Sequence, residues 1–157
     1  MVQTTLPTML MLVGASATPA IAASAFAPGE WQHQTDVVTA EVPGIPQWVI
    51  KLIGGHRTRT SCNSAAELSA HPESLFKGDD TAVCQLRRLS LSNGTILFDT
   101  FCTNKRFPAG LLVVSQGSYS PTSYSFTTIS TGTRNGKPVR IVTRGSGTRL
   151  SETCAKP

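Results

Sequence analysis

Residues 84–102 read CQLRRLSLSNGTILFDTFC. Two runs of alternating apolar and polar residues meet at Ser92-Asn93-Gly94. Asn-Gly favours a tight hairpin, because both central residues of a type I′ turn need positive φ. The stretch therefore predicts two antiparallel strands closed by that turn, and two registers fit it. A three-residue loop sets Leu91 opposite Thr95, Arg87 opposite Asp99 and Cys84 opposite Cys102, close to bridging distance. A two-residue Asn93-Gly94 turn slips the pairing by one. It then sets Leu91 against Ile96, Leu89 against Phe98 and Arg88 against Asp99. The first register is preferred because it brings two cysteines together; the second stays open.

Working outward, the same signature recurs. Leu111 to Tyr119, Ser123 to Thr131 and Val139 to Leu150 are rich in strand-forming residues, with Pro121-Thr122 and Asn135-Gly136-Lys137-Pro138 as turns between them. Upstream, Glu30 to Val42 reads as a first strand, broken by Pro43-Gly44-Ile45-Pro46. Gln47 to Ile53 reads as a short strand or apolar turn ended by Gly54-Gly55. His56 to Cys62 alternates basic and hydroxyl residues, a strand with one wet face. Residues 64–70 read as one short helix, with Glu67 in capping-box relation to Ser64, ended by Pro72. Leu75 and Phe76 in the following loop are candidates to plug the core. The sum is a mainly β domain. It is a single antiparallel meander of about seven or eight strands, either a curled barrel-like sheet or a sandwich.

Composition agrees. Of 157 residues, 39% are hydrophobic and 15% charged, against roughly 25% charged in ordinary globular chains. Disorder driven by charge is excluded, the length does not suit a large α/β enzyme, and scarce Glu and Lys argue against a helical bundle. The first charged side chain is Glu30. Before it, Met9-Leu10-Met11-Leu12-Val13 and the small-x-small sites Ala20-Ile21-Ala22 and Ala23-Ser24-Ala25 form the apolar and cleavage regions of a signal peptide, without the usual basic start. Residues 1–25 are therefore expected to be removed after Ala22 or Ala25. That leaves one domain over residues 26–157, periplasmic or secreted. Gly14 and Pro19 make the leader a poor spanning helix, and no other stretch is apolar enough to cross a bilayer.

Four cysteines, Cys62, Cys84, Cys102 and Cys154, form an even set behind an export signal and read as two disulfides. Gaps of 21, 17 and 51 residues lack the close pairs of a structural zinc site. No metal or cofactor is expected. Cys84–Cys102 is the preferred pair from the hairpin, and Cys62–Cys154 follows by elimination.

Several features now stand in order: Pro28-Gly29-x-Trp31, Pro43-Gly44-Ile45-Pro46, and Cys62 followed by a Ser/Ala/Glu helix. Then come Cys84, an Asn-Gly hairpin and Cys102, Gly117-x-Tyr119 with Pro121-Thr122-Ser123-Tyr124, and a terminal Cys154. The chain resembles the domain-of-unknown-function family 3617, small exported proteins of Gram-negative bacteria. It departs in having Ser151-Glu152-Thr153 before the last cysteine, where that family usually has Gly and an acidic residue. The resemblance implies a periplasmic, disulfide-bonded β domain and supplies no catalytic residue.

His33, His56 and His71 are the only histidines. There is no nucleophile elbow and no phosphate loop, so no catalytic residue is assigned. Asp79-Asp80 reads as a solvated turn rather than a calcium loop. Residues 26–99 carry six basic and eight acidic side chains, and residues 100–157 eight basic and one acidic. The expected function is non-enzymatic, the binding of an apolar or anionic envelope ligand. Trp31, His33 and Trp48 are candidates for an apolar pocket, with Phe98, Phe101 and Tyr124. Arg140 and Arg144 are candidates for a cationic strand face. Envelope lipid, an anionic glycan or an envelope protein fits as partner; nucleic acid does not, for want of interleaved exposed aromatics. The alternatives are a small secreted hydrolase using His33 or His56 with Asp36, and a structural scaffold of an envelope complex.

Overall fold

The computed structural model describes residues 25–76 and 81–154. The predicted leader, Ala25 apart, and the Asp79-Asp80 pair lie outside the described residues. Seven strands form one antiparallel sheet: β1 (Gly29–Glu41), β2 (His56–Asn63), β3 (Val83–Ser92), β4 (Thr95–Asn104), β5 (Phe107–Ser120), β6 (Ser123–Arg134) and β7 (Lys137–Ser151). Their order is β2-β1-β7-β6-β5-β4-β3. β3 to β7 make a meander, β1 returns beside β7, and β2 and β3 are the two edges. A single open sheet forms, and the sandwich does not.

The 84–102 hairpin contains both expected registers. Asn93 and Gly94 have φ of 49° and 73°, a two-residue turn that pairs Leu91 with Ile96, Leu89 with Phe98 and Arg88 with Asp99. A bulge between Leu86 and Arg88 then slips the ladder by one and sets Cys84 opposite Cys102. Arg87 is the extra residue, and its guanidinium lies 4.8 Å from the centre of the Phe101 ring. A bulge adds twist at an edge, which discourages pairing with a second sheet. Cys84 and Cys102 are bonded, as are Cys62 and Cys154. Cys62 lies in β2 and Cys84 in β3, so each edge strand is tied covalently to another part of the chain.

Gln47 to Gly54 is a helix (α1), where a short strand or turn was expected. A short apolar run bounded by Pro and Gly does not distinguish the two states. Here the edge of β1 is already taken by β2, so the run has no ladder to join. It satisfies its own backbone as a helix beginning after Pro46. The helix α2 (Ala65–Ala70) forms as expected, with Ser64 Oγ accepting from the Glu67 N–H at 3.2 Å. A 3₁₀ turn, Pro72–Phe76, follows it.

One face of the sheet is covered. At one end Phe26, Trp31, Leu68, Leu75, Ile96, Phe98 and Tyr124 are buried, with Phe76 and Phe126 against them. At the other end Val42, Leu111 and Val139 are buried, with Ile45, Ile50 and Phe107 packed on them. Gly145 and Gly147 stand opposite Phe126 and Tyr124. Each ring lies over its glycine; a Cβ at Gly145 would come 2.5 Å from the Phe126 ring.

Candidate functional site

Trp31 and His33 are two residues apart on β1 and so share the covered face. His33 and Tyr124 both pair with Gly147, from opposite sides. With no side chain between them, Tyr124 Oη reaches within 2.6 Å of His33 Nδ1. His33 Nε2 lies 2.7 Å from Ser61 Oγ, and Ser61 donates to Asn63 Oδ1 at 2.7 Å. The serine's single proton is thus spent on Asn63, so Nε2 carries the ring proton and donates to Ser61, while Nδ1 accepts from Tyr124. Burial, and after it the charge of Arg59, holds His33 down at about 4. Burial also pushes the Tyr124 hydroxyl well above its ordinary value, with Arg59 acting the other way. A serine beside a histidine usually signals a nucleophile and its base. Here the serine proton points away from the ring, and the ring is too weak a base near neutrality. The network ties β1, β2 and β6 together.

This arrangement makes stability depend on acid. The unfolded chain takes up a proton at His33 near pH 6.5, the folded chain only near pH 4. Stability is therefore complete above pH 6.5 and falls as the pH drops, by about 3 kcal/mol at pH 4. Urea midpoints across this window should show the loss, and His33→Gln should flatten it. An equal pH slope in the variant would assign the loss to other groups.

On the other, open face the β1–β2 ladder sets His56 opposite Asp36. Nδ1 lies 2.6 Å from Asp36 Oδ1, and Thr58 Oγ1 lies 3.3 Å from Nε2. This is the order of a hydroxyl, imidazole and carboxylate triad. The His56 and Asp36 side chains are 61% and 50% exposed, so water screens the pair and competes for each contact.

The five side chains expected to bind ligand do not form one site. Trp31 is fully buried, its Nε1–H donating to the Ala27 carbonyl at 3.1 Å, and His33 is buried beside it. The space above Trp31, Phe98 and Tyr124 is filled by Leu68, Leu75 and Phe76, so α2 and the 3₁₀ turn occupy the expected apolar pocket. Phe101 lies on the opposite face beside Arg87. Arg140 and Arg144 are exposed together on that open face of β7, with Arg140 in register with Glu41. Trp48 stands apart on α1, 69% exposed.

A second set of cations converges instead. The β4–β5 turn carries Lys105 and Arg106, and the β6–β7 turn lies between Arg134 and Lys137. β5 and β6 are neighbours, so the two tips lie side by side at one end of the sheet. Asn104 Oδ1 accepts from the Arg106 and Phe107 N–H groups at 2.9 Å and fixes the first turn. Positive φ at Asn135 and Gly136 fixes the second. Between the tips opens a cleft of about 460 Å³, lined by Lys105, Arg106, Pro108, Thr133, Arg134 and Gly136 among others. Among the described residues none of these cations forms an ion pair. The excess positive charge of the second half is plain in the sequence but this convergence is not, since the two tips are about 30 residues apart.

No curated protein and no solved structure matches the chain. The family model described as a protein of unknown function, DUF3617, matches residues 26–154, which span both disulfides and every strand described above, and the chain belongs to that family.

Proposed function

We propose that this is an exported, non-enzymatic binding domain whose ligand is an anionic component of the cell envelope, held between the β4–β5 and β6–β7 turns. The convergence of Lys105, Arg106 and Arg134 on one cleft, with Lys137 closing the second turn and no ion pair to any of the four among the described residues, carries this reading. Like charges gathered at one end repel, and an anion relieves the repulsion while gaining charge-assisted hydrogen bonds. The two disulfides suit an oxidising compartment and support export.

Titration with inositol hexakisphosphate at low ionic strength tests it. Binding should weaken as salt rises. Arg106→Gln and Arg134→Gln should each reduce affinity by about tenfold, which is about 1.4 kcal/mol. No binding, or affinity untouched by both substitutions, would remove the reading.

The structure also bears on the leader. Phe26 is fully buried, Ala25 packs on the same cluster, and the Ala27 N–H donates to the Pro121 carbonyl at 2.8 Å. Cleavage after Ala25 would place a charged amino terminus on a buried residue, which is costly. The exported protein is therefore expected to begin at Ala23. Its intact mass reads this directly, and a mature chain beginning at Phe26, or an uncleaved one, is the contrary result.

Hydrolysis remains a second reading because Thr58, His56 and Asp36 lie in triad order. It requires turnover of an ester that vanishes in Thr58→Val.

A further inference from the structure

We infer that the end of the domain bearing α1 docks on an anionic lipid surface, with Trp48 and Leu52 entering the interface and the turn cations resting on the headgroups. This inference builds on the anion-binding reading above and names the form the anion takes.

α1 reads QWVIKLIG, apolar on almost every side. Such a helix is ordinarily buried all round. α1 departs from this: Ile50 packs on the Val42, Leu111 and Val139 cluster, while Trp48 and Leu52 do not. Trp48 and Leu52 are one turn apart and share a side. Each is two positions from Ile50, and at 3.6 residues per turn that places them on the opposite side of the helix. They are 69% and 77% exposed. The protein thus holds an indole and an isobutyl group out into water, braced by the core behind them.

The cations stand at this same end. The cluster beneath α1 includes Phe107 and Val139. Phe107 directly follows Lys105-Arg106, and Val139 lies two residues after Lys137. Glu41, the acidic side chain at the end of β1, is in register with Arg140 rather than with the turn cations. An exposed apolar anchor framed by unpaired cations is the signature of peripheral binding to a negatively charged bilayer, where Trp favours the headgroup boundary and Lys and Arg the anionic headgroups. A soluble polyanion would use the cations and leave Trp48 and Leu52 idle. The charge complementarity therefore favours a lipid surface.

The test uses the whole mature domain with vesicles of phosphatidylcholine, alone and mixed with phosphatidylglycerol. Co-sedimentation should occur with the mixed vesicles only and fade at high salt. Tryptophan emission should shift to the blue. Because Trp31 is fully buried, that shift reports Trp48. Trp48→Ala with Leu52→Ala should keep the melting temperature, weaken vesicle binding by about tenfold or more, and leave inositol hexakisphosphate binding intact. If the wild type binds the soluble anion but no vesicle, the docking is overturned and the anion cleft survives. If it binds neither, both fall. Vesicle binding without a shift and unchanged in the double variant overturns the insertion of α1. A wild-type dimer that the double variant dissociates, with no vesicle binding, assigns the helix face to self-association and overturns the docking as well.

Discussion

A Cys62→Ser, Cys154→Ser variant is expected to lose roughly 4–5 kcal/mol of folding stability. The bridge joins residues 92 apart in sequence, and a loop of that length restricts the unfolded chain most. The loss is set against a total of about 5–15 kcal/mol for an ordinary domain, so the variant sits near the limit of folding. Local consequences point the same way. Cys62 lies in β2, which among the described strands pairs with β1 alone. β2 also supplies Ser61 and Asn63 to the His33 network. A β2 strand that loosens leaves a buried imidazole without its acceptor. The Cys84–Cys102 bridge spans 18 residues already joined by a hairpin turn, and its removal should cost less, about 3 kcal/mol. Guanidinium unfolding of the two double variants gives both numbers. A midpoint for the Cys62, Cys154 variant equal to wild type would refute the account.

Phe26→Ala is expected to cost about 3–5 kcal/mol. The Phe26 ring lies 6.0 Å from Trp31, 5.6 Å from Phe76, 5.1 Å from Tyr119 and 6.3 Å from Tyr124, centre to centre. Three of these contacts, with Trp31, Phe76 and Tyr124, are near-perpendicular edge-to-face pairs, with interplanar angles of 84°, 80° and 79°, the geometry in which rings attract beyond simple burial. Phe26 also bridges the 3₁₀ turn to the sheet, so its loss opens a void between layers that the rigid strands cannot close. Phe26→Leu restores most of the volume and should recover a large part of the loss. Denaturant unfolding of both variants decides it. A cost below about 1 kcal/mol for alanine would mean that the segment before β1 is not part of the core.

The strands were legible because their signals are local. Asn93-Gly94 and Asn135-Gly136 each mark a turn through the backbone freedom of two residues, and strand alternation on either side needs no knowledge of the rest. The bulge at Arg87 was not legible. It reconciles two competing demands, hydrophobic pairing near the turn and cysteine pairing at the far end, and its position depends on the whole ladder. α1 was misread because a short apolar run carries too few turns to show its period. Leu75 and Phe76 were legible as core plugs. Phe26, at the junction with the leader, was not, because the segment reads as processing signal rather than structure. The cation cleft needed the strand order. Lys105 and Arg134 are distant in sequence, and only the adjacency of β5 and β6 brings their turns together. His33 was legible as a companion of Trp31. That its pocket would be filled by the protein's own 3₁₀ turn depends on tertiary packing that no strand pattern contains.

An open sheet with two free borders is a candidate for exchanging strands between molecules, since an identical strand from a second copy offers the same ladder at little cost. β2 and β3 are the strands such an exchange would use. Each is bonded to its own chain, through Cys62 to Cys154 and through Cys84 to Cys102. Once oxidised, neither can leave without breaking a covalent bond. Exchange of either edge strand by itself is therefore confined to the interval before the bridges form, and the timing of oxidation relative to folding decides whether those strands mature in separate molecules or in interlocked pairs.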